Sequence, residues 1–186
     1  MTTKAKSPGR RSDMKVRVVL SLISLLVVAS PITTAQAQRE FIDKANGFKI
    51  TLVGKWRADS YTDAVARQKT EFIFEKRDQG LLRITRQNLA GSSLKDVVRR
   101  EITNFTLCYS CVSTGQEVFP GGALSGIRVS HYFVEGDRRM LGTFYFLEDK
   151  ETVWILHFNG RAESTGMACE TTDSIVRSFS SVRDLY

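Results

Sequence analysis

Histidine occurs twice in 186 residues, and proline and cysteine three times each. Each scarcity excludes something. Two histidines leave no His-rich metal centre, and they do not form an H-E-x-x-H ligand pair. With so little proline there is no Pro-rich linker, and neither a low-complexity tract nor an internal repeat appears along the chain. A Gly-rich phosphate loop is missing as well. Gly122-Ala123-Leu124-Ser125-Gly126 places its serine one position too late for G-x-S-x-G, so it reads as a Gly-rich turn into a strand. A membrane-length apolar run is also absent: residues 18–29 make 12 residues, whereas a span needs about 20.

That short run fits another purpose. Met14-Lys15-Val16-Arg17 precedes it, Pro31 breaks it, and Ala35-Gln36-Ala37 follows. A basic patch, a short apolar stretch and a small-x-small site make a secretory signal peptide over residues 1–37, with cleavage expected after Ala37. Met14 offers a second start. Arg10-Arg11 lacks the apolar pair that usually completes a twin-arginine signal. The remaining residues, 38–186, are expected to form a single α+β domain, secreted or periplasmic and without a stable membrane anchor. The leader also explains the charge. The whole chain is +7, but residues 1–37 hold six basic residues and one acidic, leaving 21 basic and 19 acidic, a net +2. A charge of that size makes no phosphate-binding field, so nucleic acid is not an expected partner.

Period-two alternation marks the first strand, Phe48, Ile50 and Leu52 against Lys49 and Thr51, with Trp56 after the turn at Gly54. Residues 57–70 are polar and aperiodic and read as a surface loop. Residues 71–78 and 81–89 read as a hairpin around Gln79-Gly80, with Leu82 and Ile84 on one face and Arg83, Thr85 and Gln87 on the other. Ser93 and Asp96 approximate a capping box. Behind them Leu94, Val97, Val98, Ile102 and Phe105 recur at helical spacing to about Leu107. A short strand at residues 116–119 ends at Pro120-Gly121-Gly122. Strands at 127–134, 140–147 and 152–159 carry apolar residues on both faces, the mark of a sheet covered on both sides. A closing helix over residues 167–182 buries Thr172, Ile175, Val176 and Phe179. This order predicts an α+β fold: an antiparallel sheet of six or seven strands with two main helices packed on it.

The opening Gly47-Phe48-Lys49-Ile50-Thr51-Leu52-Val53-Gly54-Lys55-Trp56 and the closing Asp173-Ser174-Ile175-Val176-Arg177-Ser178-Phe179 resemble the PsbP/Mog1-like fold. Val53 stands where that opening usually carries proline. The resemblance implies an α+β sandwich over most of residues 41–184. It also implies a non-catalytic module that binds proteins or ions, of the kind seen in extrinsic photosystem subunits and exported bacterial relatives.

Three groups of residues are candidates for chemistry. Cys108, Cys111 and Cys169 are disulfide candidates, because thiols pair in an oxidising compartment. If the two helices share one sheet face, Cys169 reaches Cys108 or Cys111. If they cover opposite faces, only the tight Cys108–Cys111 ring closes. A thiol–disulfide exchange site at Cys108 and Cys111 is the first alternative function. It is disfavoured by its place after a helix C-terminus, where the dipole opposes a thiolate. His131 and His157 sit mid-strand among apolar neighbours, as core histidines or as a metal-binding or pH-sensitive pair. Metal binding through them is the second alternative. Candidate binding surfaces hold Arg57, Tyr61, Arg67 and Lys69 in the polar segment, residues 120–126, and Arg99 and Arg100 on the first helix. The leading expectation is an exported, non-enzymatic binding or accessory module whose partner is a protein or small ligand, with no cofactor.

Overall fold

The computed structural model describes residues 37–182, apart from 65, 67, 110, 164 and 165. Residues 1–36 of the expected leader and Arg67 therefore lie outside the described residues.

Among the described residues, two antiparallel sheets and two helices make up the fold. The larger sheet has seven strands in the order β3 (Trp56–Thr62), β4 (Gln68–Phe74), β5 (Leu81–Asn88), β9 (Thr152–Arg161), β8 (Arg138–Asp149), β7 (Gly126–Glu135), β6 (Val112–Phe119). The smaller runs β1 (Gln38–Asp43), β2 (Phe48–Val53), β10 (Ser180–Ser181). Helices α1 (Leu94–Cys108) and α2 (Gly166–Arg177) complete the set. The expected α+β sandwich, an antiparallel sheet of six or seven strands with two helices, forms with seven strands in its main sheet and a second, three-stranded sheet beside it.

Alternation along the strands decides what covers each face. Phe144, Phe146, Val129, Val153 and Ile155 share one face and pack under Val97 and Val98 of α1. Tyr145, Leu147, Trp154, Leu156 and Phe158 point the other way, into a larger core with Ala168, Ile175 and Val176 of α2 and Phe48, Ile50 and Leu52 of the small sheet. Central strands β8 and β9 are thus buried on both sides, as their two-sided apolar pattern requires. Burial of aromatic and aliphatic side chains at this density supplies most of the stabilisation.

Local signals fix the helix ends. The Ser93 hydroxyl accepts a hydrogen bond from the Asp96 backbone N–H, and the Asp96 carboxylate accepts one from the Ser93 N–H, so the capping box is complete. Hydrogen bonds from Ser93 push the Asp96 carboxyl below its ordinary value, with Arg99 and Arg100 adding to the effect. Helix α2 is shorter than its apolar period implied. It stops at Arg177 because Ser178 turns its hydroxyl onto the Ile175 carbonyl (2.6 Å) and accepts the Thr51 N–H (2.7 Å). The chain then joins β2 as β10. On the sheet, Asp173 of α2 accepts from Tyr145 (2.6 Å) and Arg128 (2.6 Å), which ties the helix to β7 and β8.

Two expectations need correction, and one strand, β1, was not expected. Residues 57–70 are no loop: they hold most of the hairpin β3–β4, paired from Trp56↔Phe74 to Thr62↔Gln68. As the sheet's outer hairpin, β3 turns only Trp56 and Ala58 into the core, so it lacks an apolar period. Strand β1 forms from a mostly polar segment because it pairs with β2 over six residues. Burial on both sides fails at the end of β7, where Tyr132 and Val134 are half exposed beyond the reach of α2.

Candidate functional site

The two helices cover opposite faces, so the arrangement needed for a bond from Cys169 to Cys108 or Cys111 is not met. Cys169 packs against the α2-side core, while Cys108 is the last residue of α1 and Cys111 lies just beyond it. No disulfide joins cysteines among the described residues. Tyr109 leaves the helix in an extended conformation and sets its ring on Phe105 (4.8 Å) and Phe133 (5.4 Å), drawing the chain away from Cys108 toward β6. Burial pushes the Cys111 thiol above its ordinary value, opposite to what exchange chemistry uses.

His131 and His157 do come together. Both project from the α1 face, from strands β7 and β9 that flank β8, with ring centroids 5.4 Å apart. His157 stacks on Phe144 at 3.8 Å, and Phe105 sets its edge against both imidazoles, at 4.7 and 5.3 Å. His131 is 1% exposed and neither ring nitrogen makes a geometrically complete hydrogen bond. Its Nε2 lies over Gly142, where an added Cβ would come within 2.1 Å. Burial drops the His131 pKa to about 4, with the Val129 backbone partly offsetting it. Burial also takes His157 well below its ordinary value, with His131 and Arg83 adding repulsion. The pair is neutral at pH 7. No cluster of three His, Cys, Asp or Glu able to hold a metal occurs among the described residues.

Beside this pair the α1 face opens into a cleft of about 460 Å³. Phe105, Tyr109, Phe133, Leu81 and Met140 form its apolar wall. Arg77, Arg83 and Arg138 bring guanidinium groups, and Asp78, Glu135, His157 and Asn159 complete the polar side. Sheet geometry explains the cluster. Glu71 on β4 faces Arg83 on β5, and Arg83 faces His157 on β9, all in one register row. Glu71 is buried at 2% exposure and contacts Arg77 (2.6 Å) and Arg83 (2.8 Å). Two guanidiniums thus share one carboxylate.

Of the surface candidates, Arg57, Tyr61 and Lys69 lie on this same face near the β3 edge, with Tyr61 opposite Lys69. Arg57 donates to the Glu75 carbonyl at 2.7 Å. Arg99 and Arg100 stand on the exposed side of α1, where Arg99 pairs with Asp96 (2.6 Å) and Arg100 donates to Gln87 (3.0 Å). Among residues 120–126, Gly126 opens β7 and the Ser125 carbonyl accepts the Glu148 N–H (3.1 Å). None of these candidates lines the cleft. Arg77, Arg83, Arg138 and Glu71 were not singled out in the sequence; the one local signal was Arg83 on the polar face of its strand.

No family model matches the sequence, and no curated protein matches it. Solved structures do match in fold. The cyanobacterial PsbP (CyanoP) of Synechocystis aligns at 12% identity over 84% of this chain and 98% of its own, TM-score 0.55. The Ran-binding protein Mog1p of Saccharomyces cerevisiae aligns at 9% identity over 79% and 96%, TM-score 0.54. LpqN of Mycobacterium tuberculosis, described as involved in cell envelope biogenesis, aligns at 8% identity over 77% and 90%, TM-score 0.56. The chain has a PsbP/Mog1-like fold.

Proposed function

We propose that this chain is an exported, non-enzymatic accessory module that works by reversible binding at the cleft on its α1 face. One observation carries the reading: the cleft joins an aromatic wall to guanidinium groups anchored on a buried carboxylate, which is equipment for holding a partner. Fold neighbours add support, since Mog1p is a Ran-binding protein of the same architecture. The leader-like residues 1–37 support export, and no described helix is long and apolar enough to cross a membrane.

The test is a turnover panel covering hydrolysis, group transfer and thiol–disulfide exchange. It is run on the wild-type protein beside Arg83→Gln and Cys108→Ser. Background rates in all three are expected. Turnover that either substitution abolishes sinks the reading, and loss in Cys108→Ser alone would point to the redox alternative. Mass analysis of protein recovered from outside the cytoplasm tests export, with Gln38 as the expected first residue.

A further inference from the structure

The cleft is specific enough in its chemistry to name a ligand class, an inference that rests on the binding reading above. Its two sides differ. On one, the rings of Phe105, Tyr109 and Phe133 lie 4.8 to 5.4 Å apart, with Tyr109 38% exposed at the mouth. Such ring surfaces hold a flat apolar body by offset or edge contacts. The opposite side is cationic. The Arg77 and Arg83 side chains remain 54% and 51% exposed, although the Glu71 carboxylate that both contact is only 3% exposed. Arg83 reaches Glu71 through Nε, which leaves its terminal Nη groups for another acceptor.

Two of these guanidiniums are available to an anion. Arg138 has its nearest acid, Asp137, at 4.0 Å, and that carboxylate is 98% exposed and so strongly screened. Two acids also line the cleft. Asp78 is committed to Arg161 at 2.7 Å, and Glu135 sits opposite Arg138 across the β7–β8 turn. Counting Glu71 and Arg161 behind the wall and the exposed Asp137, four guanidiniums meet four carboxylates, so the pull on an anion comes from the terminal Nη groups of Arg83 and from Arg138, whose nearest acid is screened. A guanidinium fork matches a carboxylate in two parallel hydrogen bonds, while a neutral amide gains less from it and a cation is repelled. The volume, about 460 Å³, is that of a small-molecule site.

We propose that the cleft binds a small planar carboxylate, an aromatic acid whose ring stacks against Phe105, Tyr109 and Phe133 and whose carboxylate pairs with Arg83 and Arg138. Glu71 competes with the ligand for the charge of Arg77 and Arg83.

The experiment is an NMR titration of the full chain with benzoate, benzamide and inorganic phosphate. Benzoate is expected to give saturable shifts at Tyr109, Arg83 and His157, with benzamide weaker by about tenfold or more, the worth of one charge-assisted hydrogen bond. Arg83→Gln and Arg138→Gln should each weaken benzoate by about tenfold. Glu71→Gln, which releases both guanidiniums, should tighten it. Arg138 sits in an exposed hairpin, so its variant keeps the test open if changes at Glu71 or Arg83 unfold the protein. No saturable benzoate shift overturns the proposal, as does equal binding of benzamide or an unchanged affinity in Arg138→Gln. Phosphate binding as tight as benzoate also overturns it, by showing an anion site that makes no use of the rings. If benzoate fails while a partner cross-links to this face in cells, the ligand class is wrong and the binding reading stands.

Discussion

Acid should loosen this protein before its carboxylates titrate, because two imidazoles are held uncharged in the layer beneath α1. His131 is almost fully buried, and its pKa lies near 4 against 6.5 for a free imidazole. The native state therefore binds fewer protons than the unfolded chain between those values. Stability is complete above the ordinary pKa and is lost as pH falls toward the depressed one. For His131 alone, linkage gives a loss of roughly 2 kcal/mol between about pH 7 and pH 5, and roughly 3 kcal/mol once the ring is fully protonated. His157, also pushed down by burial, steepens the slope. A loss of that size is a large share of the stability of a domain this size. Urea unfolding across this pH range is the assay, with the imidazole resonances followed in parallel. His131→Leu, close in volume and unable to titrate, should flatten much of the slope. A flat stability profile over that range, or a His131 resonance titrating near its ordinary pKa in the folded protein, refutes the reasoning.

Close backbone approaches give a second test. Gly126→Ala places a Cβ 1.7 Å from the Phe146 carbonyl oxygen, and Gly142→Ala one 2.1 Å from the His131 ring. Each should destabilise by at least about 1–3 kcal/mol, and Gly126→Ala more, since backbone yields less than a side chain. Ser93→Ala removes the capping box of α1 and should cost about 1 kcal/mol in thermal or urea unfolding. Phe146→Ala empties a fully buried site beneath that helix and should cost about 3–5 kcal/mol. Asp173→Ala strips Tyr145 and Arg128 of their shared acceptor and should cost about 1–3 kcal/mol, with earlier amide exchange in α2.

Much of the architecture was legible because it is written in local periods. Residues 94–108 show a capping box and an apolar stripe, and β7 to β9 show the double-sided burial of central strands. The small strand β1 and the hairpin β3–β4 escaped for a physical reason. Outer strands meet the core through few side chains, Trp56 and Ala58 in β3, so polar residues dominate and no period survives. Helix faces were not legible, since strand parity and sheet order together decide that α1 and α2 lie on opposite sides. That single topological fact settled the fate of the Cys169 pairing. The cleft was harder still. Its residues come from the β4–β5 turn, the end of α1 and four further strands, β5, β7, β8 and β9, and the register row Glu71, Arg83, His157 sets its polar side. The two histidines were read as core residues or as a metal-binding or pH-sensitive pair, and they come together although their strands are not adjacent, across β8.

The most direct measurement is photo-cross-linking in the native cell, with a photoreactive residue placed at Arg138 in the cleft or, as control, at Lys44 away from it. A discrete adduct from position 138 and none from position 44 is the result expected of a module that holds its partner on the α1 face. Equal labelling from both sites, or adducts from the control alone, contradicts it.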